Sequence, residues 1–200
     1  MNNEQNSALV LATGNPGKRK EMETLLSPLG LMLRLPAEWG VPFAPEETGT
    51  TFLANARIKA RAALDLTGLP SLADDSGLVV DALGGAPGVY SARYGGGGLT
   101  PEQRNALLLK EMEGIDDRAA RFVCVLCCLF PDGREIVAEG VCEGEILRAP
   151  RGTGGFGYDP AFFVTELGRG MAELTEGEKN RASHRGKAVR EFLRQWEKLS

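Results

Sequence analysis

Ala120-Arg-Phe-Val-Cys-Val-Leu-Cys-Cys-Leu-Phe130, then Pro131-Asp-Gly133, then Glu135-Ile-Val-Ala-Glu-Gly-Val-Cys-Glu-Gly-Glu-Ile-Leu147 is the most telling stretch of the chain. Two long β-prone runs joined by Pro-Asp-Gly read as a hairpin, which a purely parallel sheet cannot contain. Upstream the pattern differs. Ala8–Ala12 is a short apolar run that reads as a strand, and residues 18–29 follow with Met22, Leu25, Leu26 and Leu29 at helical spacing. Residues 31–35 read as a second strand, and residues 50–66 as a helix that Gly68 stops. Crossovers in the first part and a hairpin in the second give an α/β protein with a mixed sheet flanked by helices.

The remaining segments complete this order. Residues 70–73 and 78–80 read as short strands around Asp74-Asp75-Ser76-Gly77, and residues 84–98 as a glycine-rich loop. Thr100-Pro101 reads as the cap and first residue of a helix running to about Glu113. Another glycine-rich loop spans residues 152–158, and a short strand follows at 161–164. Thr175 and Glu178 have capping-box spacing, and Ser183 is placed to cap a last helix bearing Val189, Phe192, Leu193 and Trp196. No fixed-period repeat or low-complexity linker divides the 200 residues, which are read as one domain.

Composition narrows the function less. The net charge of −4 and the pI of about 5.2 argue against non-specific binding to nucleic acid or an anionic membrane. No run reaches the roughly 18 apolar residues of a membrane span, and Met1–Ser7 lacks the features of a secretory signal, so cytoplasmic residence is expected. Cys124 and Cys127 form a C-x-x-C, but strand alternation sends them to opposite faces, and neither a second pair nor a nearby histidine accompanies them. They read as buried structural thiols.

Five polar segments carry candidate chemistry. Thr13-Gly14-Asn15-Pro16-Gly17-Lys18 joins a strand to a helix, where backbone N–H groups and a lysine attract phosphate. It is not a P-loop, because only two residues separate its glycines and Arg19 follows the lysine; an ordinary strand-to-helix turn is an equal reading. Glu46-Glu47-Thr48-Gly49 precedes a helix and serves either its dipole or a magnesium ion. Asp74-Asp75 places two like charges side by side, a costly arrangement unless a cation or hydrogen bonds offset it, although a solvated turn also favours these residues. In Gly154-Gly155-Phe156-Gly157-Tyr158-Asp159-Pro160, glycines permit close backbone approach, and Phe156 and Tyr158 offer faces for a base or simply anchor the loop. Lys179 with Ser183-His184-Arg185, which holds the sole histidine, forms either a cationic clamp or an exposed basic helix face. Together these are parts for handling a nucleotide with a metal; they do not say which bond breaks.

Six motifs in order, Thr13-Gly-Asn-Pro-Gly-Lys18, Glu46-Glu-Thr-Gly49, Ala73-Asp-Asp-Ser-Gly-Leu78, Gly84-Gly-Ala-Pro-Gly-Val-Tyr-Ser-Ala-Arg-Tyr94, Gly152-Thr-Gly-Gly-Phe-Gly-Tyr-Asp-Pro160 and Ser183-His-Arg-Gly186, resemble the inosine triphosphate pyrophosphatase family from about Leu9 to Trp196. The resemblance implies a long mixed sheet with two lobes and a substrate cleft between them, in a homodimer. It implies magnesium-dependent hydrolysis of ITP, dITP and XTP between the α- and β-phosphates. It assigns Asp75 as proton acceptor and metal ligand, Glu46 as the other ligand, and Glu47 as a less defined neighbour. Thr13, Gly14, Asn15, Pro16, Gly17, Lys18 and Ser76 would bind the triphosphate side, Phe156, Gly157, Tyr158 and Asp159 would approach the base, and Lys179, His184 and Arg185 would bind base or phosphate. Two other readings stay open on the residues alone: a pyrophosphatase for modified pyrimidine nucleotides, and a nucleotide-sensing module without turnover.

Overall fold

The computed structural model describes residues 8–199. Its seven-stranded mixed sheet has the order β2-β1-β3-β4-β5-β6-β7, formed by β1 (Ala8–Leu11), β2 (Met32–Arg34), β3 (Ser71–Val80), β4 (Ala119–Leu129), β5 (Glu135–Ile146), β6 (Phe162–Val164) and β7 (Arg169–Gly170). β1 runs parallel to β2 and β3, whereas β6 runs antiparallel to β5 and β7. The α-helices among the described residues are α1 (Pro16–Leu26), α2 (Phe52–Thr67), α3 (Pro101–Glu111), α4 (Glu176–Ala182) and α5 (His184–Trp196).

Most sequence expectations hold. The 131–133 turn closes with Gly133 N–H donating to Phe130 O at 3.0 Å. Thr100 caps α3 reciprocally with Gln103, and Thr175 caps α4 with Glu178. Gly68 ends α2 in the left-handed region, at φ 67°. Two expectations are corrected. Residues 71–80 form one continuous strand, so Asp74-Asp75 lies inside β3 instead of at a strand end. Lys18 of α1 reaches Asp74, and Lys59 and Asn55 of α2 reach Asp75, so charged and polar partners meet the carboxylates within the strand. The 84–98 loop holds a 3-10 turn at Gly88–Arg93, and the two-residue β7 carried no legible sequence signal.

The chain divides into two compact units. The first takes the chain up to Asp75, Cys124–Gly140 and the residues from Ala188 onward. Both faces of its strands are covered. On one face Leu9, Leu11, Leu72, Cys124, Leu126 and Cys128 pack with α1 and with Val189 and Phe192 of α5. On the other, Val10, Ala12, Ala73, Cys127 and Leu129 meet Ala56, Ala60 and Ala63 of α2. Those small alanines let the helix approach the sheet closely, and the period-2 split of Cys124 from Cys127 is the one expected for a strand. Removing the Phe192 ring would cost about 3–5 kcal/mol by opening a cavity. The second unit, Ser76–Val123 with Val141–Lys187, has its own core around Leu108, Met112, Phe122, Phe162 and Tyr158. Among the described residues, no helix is long and apolar enough to cross a membrane.

Candidate active site

In the first unit, β1 ends at Leu11 and the chain turns through Thr13-Gly14-Asn15 into α1. Thr13 Oγ1 accepts from Asn15 N–H at 3.2 Å, and Asn15 Oδ1 accepts from Lys18 N–H at 3.0 Å. This local bonding shapes the turn, while Pro16, at the first helical position, needs no donor. Gly14, Asn15 and Pro16 are exposed and Thr13, Gly17 and Lys18 half-buried, so an anion can reach the helix start. Lys18 extends back over the sheet, with Nζ 3.0 Å from Asp74 Oδ2.

Asp75 meets a different helix. Its Oδ1 lies 3.0 Å from Lys59 Nζ, and its Oδ2 accepts from Asn55 Nδ2 at 3.2 Å. Lys59 also reaches Glu47 Oε1 at 3.2 Å. Asn55 is fully buried and binds at both ends, because its Oδ1 accepts from Gly49 N–H at 2.8 Å. One carboxamide therefore ties the acidic 46–49 loop to Asp75. Gly49 must be glycine for this to occur: a Cβ there would lie 2.6 Å from Asn55 Oδ1. Asn55 and Lys59 escaped the motif reading. Their signal was two polar residues four apart on the otherwise alanine-rich buried face of α2.

The electrostatics follow from burial. Burial pushes the Asp75 carboxyl above its ordinary value, against the opposing pull of Lys59 and Lys18, and Glu47 adds to the rise. Burial alone would lower the Lys59 ammonium, but Asp74, Asp75 and Glu47 outweigh it and hold it above the usual lysine range. Glu46 is exposed, whereas Glu47 is the half-buried member of the pair that reaches Lys59. Among the described residues, no three His, Cys, Asp or Glu side chains are gathered as a ready-made metal cage. Asp75 and Glu47, brought together on Lys59, nevertheless offer the oxygen donors that fit magnesium, which takes one or two carboxylates and completes its shell with water and phosphate oxygens.

In the second unit the Phe156–Asp159 loop is anchored from several sides. Asp159 Oδ2 accepts from Phe156 N–H at 2.8 Å and lies 2.6 Å from Lys179 Nζ. Gly155, at φ +72°, leaves room for that carboxylate, which a Cβ would meet at 2.0 Å. The Tyr158 ring is buried in the core and its hydroxyl donates to Ser91 O at 2.9 Å, so Tyr158 anchors the loop instead of offering a face. Phe156 is half-buried beneath two cations, with Lys179 Nζ 4.6 Å and the Arg185 guanidinium 5.7 Å from its ring centre. Arg185 is 1% exposed, and its Nη2 donates to Ser76 Oγ at 2.9 Å. His184 stacks on Phe122 at 4.7 Å between ring centres. Ser183 Oγ caps α5 by accepting from Gly186 N–H at 3.1 Å, which fixes where His184 and Arg185 project.

An open mixed α/β sheet, a lysine-laced carboxylate cluster beside a helix-start turn, and a cation-flanked aromatic loop together define a nucleotide-handling type of α/β protein. Comparison with known proteins narrows this: a family model described as the Ham1 family matches residues 9–195, and the chain belongs to that family. Among its relatives, a dITP/XTP pyrophosphatase of Thermus thermophilus is 54% identical over 187 residues, covering 92% of this chain and 89% of the relative. A dITP/XTP pyrophosphatase of Pectobacterium atrosepticum is 52% identical over 189 residues, covering 92% and 95%. The solved structure of a HAM1 protein from Coxiella burnetii superposes with a TM-score of 0.87 at 45% identity, covering 96% of this chain and 98% of that one. The Staphylococcus aureus Ham1 protein gives 0.88 at 37% identity, covering 96% and 100%.

Proposed function

We infer that this protein hydrolyses the triphosphates of non-standard purines, ITP, dITP and XTP, to the nucleoside monophosphate and pyrophosphate. Family membership and the names of its relatives support the substrate class. The observation that carries the chemistry is Asp75: a buried carboxylate held by Lys59 and Asn55, with its proton affinity raised by burial. A base whose affinity is raised toward the working pH accepts a proton more effectively in the transition state.

In this reading Asp75 takes the proton of a water that attacks the α-phosphorus. The bond from that phosphorus to the bridging oxygen breaks, and pyrophosphate leaves with the electron pair. The Thr13–Lys18 turn and Ser76 bind the triphosphate, and Lys18 stabilises the developing charge. Magnesium, held by Asp75 with the Glu46 and Glu47 carboxylates, would neutralise phosphate charge. Phe156 would stack on the base, the Gly157–Asp159 backbone would border it, and Lys179, His184 and Arg185 would donate to its oxo group or to phosphate. A site that donates to a 6-oxo group meets a donor amino group in adenine and leaves a buried donor unpaired. We further propose a homodimer acting on free nucleotides in the cytoplasm; four buried cysteines that form no disulfide suit a reducing compartment, and the family resemblance supports the dimer.

Turnover in heavy-oxygen water tests the bond assignment. Label is expected in the nucleoside monophosphate. Label confined to pyrophosphate would place the attack on the β-phosphorus and refute the mechanism.

A further inference from the structure

Asn105 lies on α3, outside the six motifs quoted above. It is 6% exposed, and its Nδ2 donates both to Gly157 O at 2.7 Å and to Pro101 O at 2.8 Å. Gly157 sits at φ +64° between Phe156 and Tyr158, so its carbonyl direction sets how the loop presents the Phe156 ring. The amide orientation is fixed, because a reversed carboxamide would point Oδ1 at two carbonyl oxygens. Asn105 Oδ1 has no hydrogen-bond partner among the described residues. A buried acceptor left in that state is a cost to folding.

The other anchors of the loop grip other groups. Tyr158 is tied through its hydroxyl to Ser91, and Asp159 through its carboxylate to Lys179 and to the Phe156 N–H. Of these three, Asn105 is the one that holds the Gly157 carbonyl. We propose that Asn105 is a positioning residue for purine selection: it holds the Gly157 carbonyl, and through it the Phe156 platform, without touching the nucleotide. This rests on the reading above that the Phe156–Asp159 loop faces the base.

The test compares the intact protein with Asn105→Leu, which removes both donors at similar volume. Pyrophosphate release is followed with dITP and dGTP, alongside thermal unfolding. The variant is expected to stay folded, with KM for dITP raised about tenfold, kcat changed less than about threefold, and the dITP-to-dGTP ratio of kcat/KM reduced. A purely structural role would lower the unfolding temperature while leaving KM and the ratio unchanged. A folded variant with wild-type KM and ratio overturns the proposal. If Asn105→Leu does not fold, Asn105→Asp, which keeps the shape but presents only acceptors to Gly157, carries the same comparison: a raised KM with a reduced ratio supports the proposal, and wild-type values overturn it. Wild-type protein that cleaves neither nucleotide would instead refute the functional reading and the proposal with it; active wild-type with unaffected variants refutes the proposal alone.

Discussion

Asp74 and Asp75 are adjacent in sequence yet serve opposite faces of β3: Lys18 of α1 holds the first at 3.0 Å, and Lys59 of α2 holds the second at 3.0 Å. The strand's two-residue period separates two like charges that would repel on one face and gives each its own cation. Leu72, two residues before Asp74, packs on the α1 side and Ala73, two before Asp75, on the α2 side, so the same alternation builds the core and sorts the carboxylates.

Asp75→Asn keeps the shape and the contact with Lys59 but removes the proton acceptor. Turnover of dITP is expected to fall at least about 100-fold, with thermal unfolding little changed. Lys59→Met should act differently. It leaves Asp75 and Glu47 close together without their shared cation, and stability should fall by about 3 kcal/mol, the low end for a broken buried pair. Urea unfolding of the two variants separates these effects; equal stability in both would contradict the assigned role of Lys59.

Gly49→Ala tests the bracket made by Asn55. The new methyl would collide with Asn55 Oδ1 and with Ala54 Cβ, 2.7 Å away, and would push the acidic loop off the helix start. We expect kcat/KM for dITP to drop by roughly tenfold or more, as displacement of positioned groups does. Asn55→Ala should give a similar loss by the opposite route, freeing both the loop and Asp75. Normal steady-state kinetics in both variants would show that Asn55 does not position the site.

The thiols should be inert in the native protein. Burial pushes Cys142 up to about 11 and Cys127 up to about 12, where the hydrogen bond to Glu135 adds to the rise. At a pH of about 8 a thiol-alkylating reagent should label the folded protein slowly and all four cysteines rapidly after unfolding. The sign of the linkage follows from raised values: the contribution to stability is complete below the unfolded value of 9.0 and declines as pH rises through 11 to 12. Urea midpoints that stay level or rise as pH goes from 9.0 to 11 would contradict this.

Much of this was legible from the chain. The hairpin turn at Pro131-Asp-Gly133 and the caps at Thr100 and Thr175 are local chemistry that a sequence displays directly. The polar motifs were legible as sites, but their geometry was not. Asp74-Asp75 looks like a strand end because polar residues usually are; only the lysines delivered by two helices make it tolerable within a strand. Asn55 and Lys59 looked like interruptions of an alanine face, since their partners lie 20 and 16 residues away. Tyr158 shared the profile of Phe156, and only tertiary packing separates an anchor from a platform.

The most direct measurement is pyrophosphate release from dITP, XTP, dATP and dGTP, each with magnesium and with a chelator. Rapid release is expected from dITP and XTP and slow release from dATP and dGTP, with activity lost on chelation and restored by added magnesium. Equal release from all four would contradict the base selectivity, and no release from dITP or XTP with magnesium present would contradict the proposed hydrolysis itself.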